Sequence, residues 1–402
     1  MQYKKNSYPW SFGMKDFLLN ALKKTQQKGL YRTLRSLETA QAPTVVIEGK
    51  KVIQFSSNNY LGLANHPALK KAAQEAIERY GVGTGASRLI AGNLELYAHL
   101  EINLAQFKGT ESAIVFPTGY QTNVGTISAL MGEKDLIFSD ALNHASIVDG
   151  CRLSGAKVII YPHRDLDALE QLIKTASQAN NRMIISDGVF SVDGTIAPLP
   201  GLVELAKHYG CWLMVDEAHA TGVLGNRGRG TAEHFGVAHG VDIHMGTFSK
   251  ALGSLGGYVA GSKNLIDFLI NKSRSLIYTT GLPPAVLAVN HAALELVENS
   301  FDLRKALWER VVFFRNELNR LGFNTFSSEA QIIPVVIGDP IKTMEVFQYL
   351  FSRRVLAYGV RPPTVPEGLS RIRIAVMATH QWDDLYFGLQ VLEEAGKKFG
   401  II

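Results

Sequence analysis

The stretch VDIHMGTFSKALGS, Val241–Ser254, decides the fold. Its first half is an apolar and β-branched run of strand type. Its second half surrounds one lysine, Lys250, with Gly, Ser, Thr, Ala and Leu, and no acid lies close by in sequence. A lysine is seldom fully buried unless it is paired, so this environment calls for a functional reason. In an open α/β sheet, ligands sit at the carboxyl ends of the strands, and that is where this pattern places Lys250.

The same signature recurs upstream. The runs SAIVF (112–116), DLIFS (135–139), KVIIY (157–161), RMIIS (182–186) and CWLMV (211–215) read as strands. Between them, ASIVDGCRLSG (145–155), DLDALEQLIKTASQ (165–178) and PGLVELAKHYG (200–210) have the helical period, the last opened by proline and closed by glycine. Strands alternating with helices predict a mostly parallel sheet covered by helices on both faces. The strand-end rule then singles out Gly119, Ser186 to Ser191, Asp216 to His219, and Thr247 to Lys250.

From Leu303 the style changes. LRKALWERVVFFRNELNRLG (303–322) reads as a charged helix, and QIIPVVIGD (331–339) and SRIRIAVMATH (370–380) as strands of a smaller α+β domain. The expected organisation is an amino-terminal helical arm over 1–45, a large α/β domain over 46–290 and a small α+β domain over 291–402.

Composition narrows the function. With 402 residues, 46% of them hydrophobic, the chain can bury a large core. Lys and Arg exceed Asp and Glu by 41 to 36 but are scattered, so no nucleic-acid stripe is expected. Cys151 and Cys211 have neither disulfide nor zinc spacing, and no metal site is expected. Apolar runs are too short to cross a bilayer and the start lacks an export signal, so no membrane role and a cytoplasmic location are expected.

MVDEAHATG (214–222) carries Asp216 at a strand end, followed by Glu217 and His219. A D-E-A-H segment also marks some nucleic-acid-dependent ATPases, but their G-x-x-x-x-G-K-[ST] phosphate loop is missing here. The other reading joins Asp216 to Lys250. Desolvation by small apolar neighbours lowers a lysine's pKa and frees an amine to form a Schiff base with an aldehyde. Pyridoxal 5'-phosphate needs such a lysine, a carboxylate for its ring nitrogen, and donors at a helix start for its phosphate. FPTGYQTN (116–123) offers Gly119 and the amides of a helix from Tyr120, and Thr247 can add a hydroxyl. His144, in ALNHASIVDG (141–150), starts a helix where an imidazole can stack on a flat ring. GVGTGAS (81–87) follows no strand run and reads as a loop lining the site rather than a dinucleotide fingerprint.

FSSNNYLGL, GTGASRLIAGN, TGYQTN, DALNHASI, DGVFSVDG, VDEAHATGVLG, TFSKALGS and RPPTVPEG occur in one order along nearly the whole chain. Together they resemble the α-oxoamine synthases, a branch of the fold-type I pyridoxal phosphate enzymes that joins an amino acid to an acyl-CoA with loss of carbon dioxide. The resemblance implies an aspartate-aminotransferase-like fold with a seven-stranded sheet, and a homodimer with active sites at the subunit interface. It makes Lys250 the Schiff-base lysine, Asp216 the ring-nitrogen partner, His144 the stacking residue and His219 a neighbour of the ring hydroxyl. It implies cofactor contacts from Gly119, Tyr120, Ser191 and Thr247, with Thr280 donated across the subunit boundary. Asn58 and Arg373 match positions that hold the amino-acid carboxylate, Thr364 a substrate contact, and Arg32 an acyl-CoA contact.

Within the family the motifs lie nearest the biotin-pathway branch that condenses L-alanine with pimeloyl-CoA. The alternatives are the branch using glycine and acetyl-CoA, an enzyme of broad acyl range, and a catalytically silent subunit. Gly281 and Thr118 depart from the residues commonest in the first branch.

Overall fold

The structure is a computed structural model that describes residues 12–402, so the first eleven residues of the expected arm lie outside the described residues. Among the described residues, thirteen strands, numbered in chain order, form three sheets. The large sheet contains β3 (Ser112–Phe116), β4 (Leu136–Asp140), β5 (Lys157–Tyr161), β6 (Arg182–Asp187), β7 (Trp212–Asp216), β8 (Ile243–Thr247) and β9 (Gly257–Gly261), in the order β3-β9-β8-β7-β6-β4-β5. Pairing is parallel from β8 through β5, and β9 runs antiparallel to both β3 and β8.

Helices on both faces explain why the central strands read as unbroken apolar runs. Period two still decides which face each side chain serves. Ile137, Met183, Ile185, Met214 and Met245 point into one core, while Phe138, Ile184, Leu213 and Val215 point into the other. Truncating a fully buried side chain such as Phe138 to Ala would cost about 3–5 kcal/mol. The helices predicted between the strands form as Ala145–Ser154, Leu166–Thr175 and Leu199–Tyr209, the last closed by Gly210 at φ 63°.

The seventh strand, GYVAG, has no β-branched run that would announce it. Its glycines serve proximity. A Cβ on Gly257 would lie 2.2 Å from Thr122 Oγ1 and 2.9 Å from the Gly119 amide nitrogen, so only glycine lets β9 pass beneath the start of the Gly119–Leu130 helix.

The carboxy-terminal part has the antiparallel sheet β10-β13-β12, made of Ile332–Gly338, Ser370–Ala375 and Tyr358–Val360. A third sheet joins distant parts of the chain. Near the amino terminus, β1 (Thr44–Ile47) and β2 (Lys50–Gln54) form a hairpin, and β2 pairs in parallel with β11 (Val355–Leu356). Phe55 extends the link, its N–H donating to Leu356 O and its carbonyl accepting from Ala375 N, both at 2.7 Å. We therefore place residues 44–54 with the small domain. The helix Pro284–Asn299 runs unbroken through position 290 and packs on the Pro67–Tyr80 and Glu95–Lys108 helices, so we place the second boundary near Ser300. After its helix Phe12–Gln27, the arm runs to Thr44 without a further regular helix or strand.

Candidate active site

Lys250 follows β8 by three residues, on a turn tied to buried Phe248: Phe248 N–H donates to Gly256 O and Ser254 N–H to Phe248 O, at 3.0 and 2.9 Å. Burial pulls the Lys250 amine down to about 8, against the opposing pull of the Asp216 and Asp187 carboxyls, and Arg373 adds to the lowering. The amine thus titrates close to neutrality, as an imine-forming lysine must.

Adjacent strands deliver two acids beside it. Asp216 ends β7, its Oδ1 accepting from Ala218 N at 2.8 Å and its Oδ2 from Asn123 Nδ2 at 2.7 Å. Asp187 ends β6 directly across the ladder from Asp216 and accepts the His144 backbone N–H at 3.0 Å. Burial, reinforced by the Asp216 charge, holds the Asp187 carboxyl well above the usual carboxylate range, with Lys250 opposing.

His144 caps the Ala145–Ser154 helix, its Nδ1 accepting from Ser146 N and lying 2.7 Å from Ser146 Oγ. Burial lowers its pKa, opposed by Asp216 and assisted by Lys250. His219 is buried, its Nδ1 2.7 Å from the Tyr60 hydroxyl, and Gln331 Nε2 donates to its carbonyl. Burial and the charges of Lys250 and Arg373 keep its pKa well below the usual imidazole value.

Two remote segments meet at Arg373. Its Nε donates to Ser191 O at 2.7 Å, and its Nη2 donates to Asn58 Oδ1 at 3.0 Å and to the Tyr60 hydroxyl at 3.3 Å. Asn58 and Arg373 therefore stand together, as a carboxylate grip requires. Ser191 meets Arg373 through its carbonyl.

At the other end of the cluster, Thr118 caps the Gly119–Leu130 helix through Gln121 N, which leaves the amides of Gly119 and Tyr120 at the helix start for an anion. Thr247 Oγ1 lies 3.5 Å from where a Gly119 Cβ would be. Its own hydrogen goes to Gly256 O at 2.5 Å, and the neighbouring Ser249 hydroxyl, 2.9 Å away, is a further donor that the sequence reading did not single out.

Arg32, Thr364 and Thr280 lie at the margins. Arg32 donates to Pro362 O at 3.4 Å, so the arm rests on the loop that carries Thr364. Arg361 strengthens this contact by donating to Gly29 O and Tyr31 O. Thr280 bridges Ser87, and Gly281 N–H donates to Ala86 O while Thr84 Oγ1 donates to Gly281 O, each at 3.0 Å. GVGTGAS is thus a loop packed on the 280–282 segment. A Cβ on Gly281 would come 2.9 Å from Gly92 O, so glycine here answers to packing.

Asn123, Ser146 and Tyr60 were missed as site residues although each lies inside a quoted motif, and Asp187 was marked only by its place at a strand end, with no role. Asn123 sits four residues after Gly119, a polar side chain on a buried helix face, and that mismatch was the available signal.

The residues present fit pyridoxal phosphate: an amine titrating near 8, a carboxylate on the adjoining strand, and helix-start amides for a phosphate. The family model for aminotransferase class I and II matches residues 50–387. The chain belongs to that family. Within the family it stands with the α-oxoamine synthases. It is 51% identical over 383 residues to 8-amino-7-oxononanoate synthase of Geobacter sulfurreducens, covering 95% of this chain and 98% of the relative. The corresponding enzyme of Thermoanaerobacter pseudethanolicus is 47% identical over 388 residues, covering 96% and 98%. Among solved structures, a serine palmitoyltransferase variant from S. paucimobilis with bound PLP superposes with a TM-score of 0.92 at 30% identity, covering 98% of this chain and 100% of that one. An 8-amino-7-oxononanoate synthase from Francisella tularensis gives 0.76 at 28% identity, covering 87% and 99%.

Proposed function

We propose that the chain binds pyridoxal phosphate through Lys250 and condenses L-alanine with pimeloyl-CoA to give 8-amino-7-oxononanoate, CoA and carbon dioxide. The observation that carries this reading is the Lys250 amine, lowered to about 8 and set beside Asp216 and Asp187 on a chain about half identical to synthases of that name. The cofactor, when bound, supplies an electron sink for the pair left as a Cα bond breaks.

The chain's own residues do the rest. Asp216 keeps a positive charge at the ring nitrogen. Arg373 and Asn58 grip the alanine carboxylate and so fix which Cα bond is aligned to break. Lys250 Nζ would accept the Cα proton and later return one, and His144 would hold the ring by stacking on it. Gly119 and Tyr120 amides and the Ser249 hydroxyl form the phosphate end, where the Thr247 hydroxyl joins them by turning its hydrogen away from Gly256 O. Beside Arg373 opens a cavity of about 510 Å³, lined by Leu37, Ile47, Met344, Phe347 and Leu356 with Arg35 and Arg361, room for an acyl chain. No helix among the described residues is long and apolar enough to cross a membrane, and we place the enzyme in the cytoplasm. A homodimer, with Thr280 donated to the partner's phosphate site, completes the reading. It also assigns Thr364 and Arg32 to the acyl-CoA entrance.

The test is CoA release with alanine, glycine and serine crossed against acetyl, hexanoyl, pimeloyl and palmitoyl thioesters. Alanine with pimeloyl-CoA should give the highest kcat/KM, and a higher value for any other pair would overturn the assignment.

A further inference from the structure

A chain of hydrogen bonds runs from Asp216 to His144 through two side chains that none of the cofactor motifs explains. Asn123 Nδ2 lies 2.7 Å from Asp216 Oδ2 and 2.8 Å from Ser146 Oγ, and Ser146 Oγ lies 2.7 Å from His144 Nδ1. They come from three elements: Asp216 ends β7, Asn123 lies in the Gly119–Leu130 helix, and His144 and Ser146 share the start of the Ala145–Ser154 helix.

The carboxylate at one end and a backbone N–H at the other orient the donors and acceptors along this chain. The Asp216 carboxylate only accepts, so the amide must turn its NH2 towards it; the opposite orientation would set Asn123 Oδ1 against the acid. The second hydrogen of that NH2 then goes to Ser146 Oγ. Ser146 Oγ has a second lone pair, but its single hydrogen has His144 Nδ1 as its acceptor here, 2.7 Å away. The Ser146 backbone N–H also points at the same ring nitrogen, at 3.3 Å. Two donors converging on Nδ1 leave no place for a proton there.

We propose that Asn123 and Ser146 are positioning residues that use the Asp216 carboxylate to lock His144 as the neutral imidazole protonated at Nε2. The lock has two consequences. It keeps a further positive charge out of a site where Lys250 and Arg373 already stand close to one another. It also presents Nε2–H to the ligand side as a fixed donor for a ligand oxygen, so that His144 serves as a hydrogen-bond donor and not as a base. The groups whose charges act on His144 are Asp216 and Lys250; Asp187 holds its backbone N–H, and His219 is a further neighbour whose own pKa it lowers.

The inference concerns the resting site, and its test needs no acyl substrate, so it fails or stands apart from the assignment of alanine and pimeloyl-CoA. Histidine-labelled holoenzyme is followed by nitrogen–proton correlation NMR across pH. The His144 ring should show an unprotonated Nδ1 and a protonated Nε2 near neutral pH. Ser146→Ala should raise the His144 titration midpoint by roughly one unit, the worth of one hydrogen bond, while the visible band of the bound cofactor keeps its intensity. Ser146→Thr, which retains the hydroxyl, should leave the midpoint within a few tenths of wild type. A proton on Nδ1 in the wild-type spectrum overturns the proposal whether or not the variants fold, and so does an unmoved midpoint in Ser146→Ala.

Discussion

The two halves of the site are built differently. Lys250, Asp216, Asp187 and His144 stand at or just past the ends of neighbouring parallel strands, so each is positioned by a ladder or by the turn that leaves it, and the two acids are buried. Arg373, Asn58, Ser191, Thr364 and Arg32 come from five separate segments that meet only where the small domain and the arm rest on the sheet's edge. The first half holds the groups whose pKa burial moves. The second half holds the groups we propose to recognise substrate. Chemistry that needs fixed geometry sits on the sheet, while selection among substrates sits where packing can vary.

The comparison breaks most directly at Lys250. Lys250→Ala should lower kcat by about 10⁴-fold or more, because it removes both the covalent anchor and the base, while circular dichroism and thermal unfolding stay near wild type. Retained turnover would remove the sheet half of the description. On the other side, Arg373→Lys keeps the charge but loses the planar fork. It should raise KM for the amino acid by about 10- to 100-fold, equivalent to roughly 1.5–3 kcal/mol for a charged hydrogen bond, with cofactor loading unchanged. A loss of cofactor binding instead would show that the two halves are not separable.

The lysine also sets a pH signature. Its folded pKa is lowered to about 8, below the usual value for lysine, so the reactive amine is lost as pH falls through 8. Cofactor capture by apoprotein, followed by absorbance, should slow by about tenfold per pH unit below 8 and level off above it. A midpoint near 10 would mean that the amine is not desolvated. The smallest catalytic effect is expected at the seam outside both halves. Gly281→Ala should cost about 1–3 kcal/mol of stability in thermal unfolding, from overpacking against Gly92 O, and leave acyl-chain preference unchanged. A changed preference would make position 281 part of substrate selection.

Much of the first half was legible in the letters. Each catalytic candidate sits at or a few residues past the end of a strand-like run, and strand ends are where α/β sheets present ligands. The strand GYVAG was not legible, because its glycines are there for the close passage of the Gly119 helix start and not for strand propensity. The reach of β2 across to β11 was hidden too, since a pairing between residues 53 and 355 leaves no local trace. Asn123 and Ser146 could be read as motif letters but not as a relay. Their roles depend on which atoms come within 3 Å of one another.

Sequence alone therefore determined the alternation of strands and helices, the strand ends that carry Lys250 and Asp216, and the chemical identity of the groups delivered there, because these follow from short-range periodicity and side-chain type. Tertiary structure decided the amine's lowered pKa, the pairing of Asp187 with Asp216, the hydrogen bonds that reach His144 Nδ1 and the meeting of Asn58 with Arg373. Each of these is set by burial and by distances between residues far apart in the chain, and neither quantity exists until the sheet and the small domain have closed on one another.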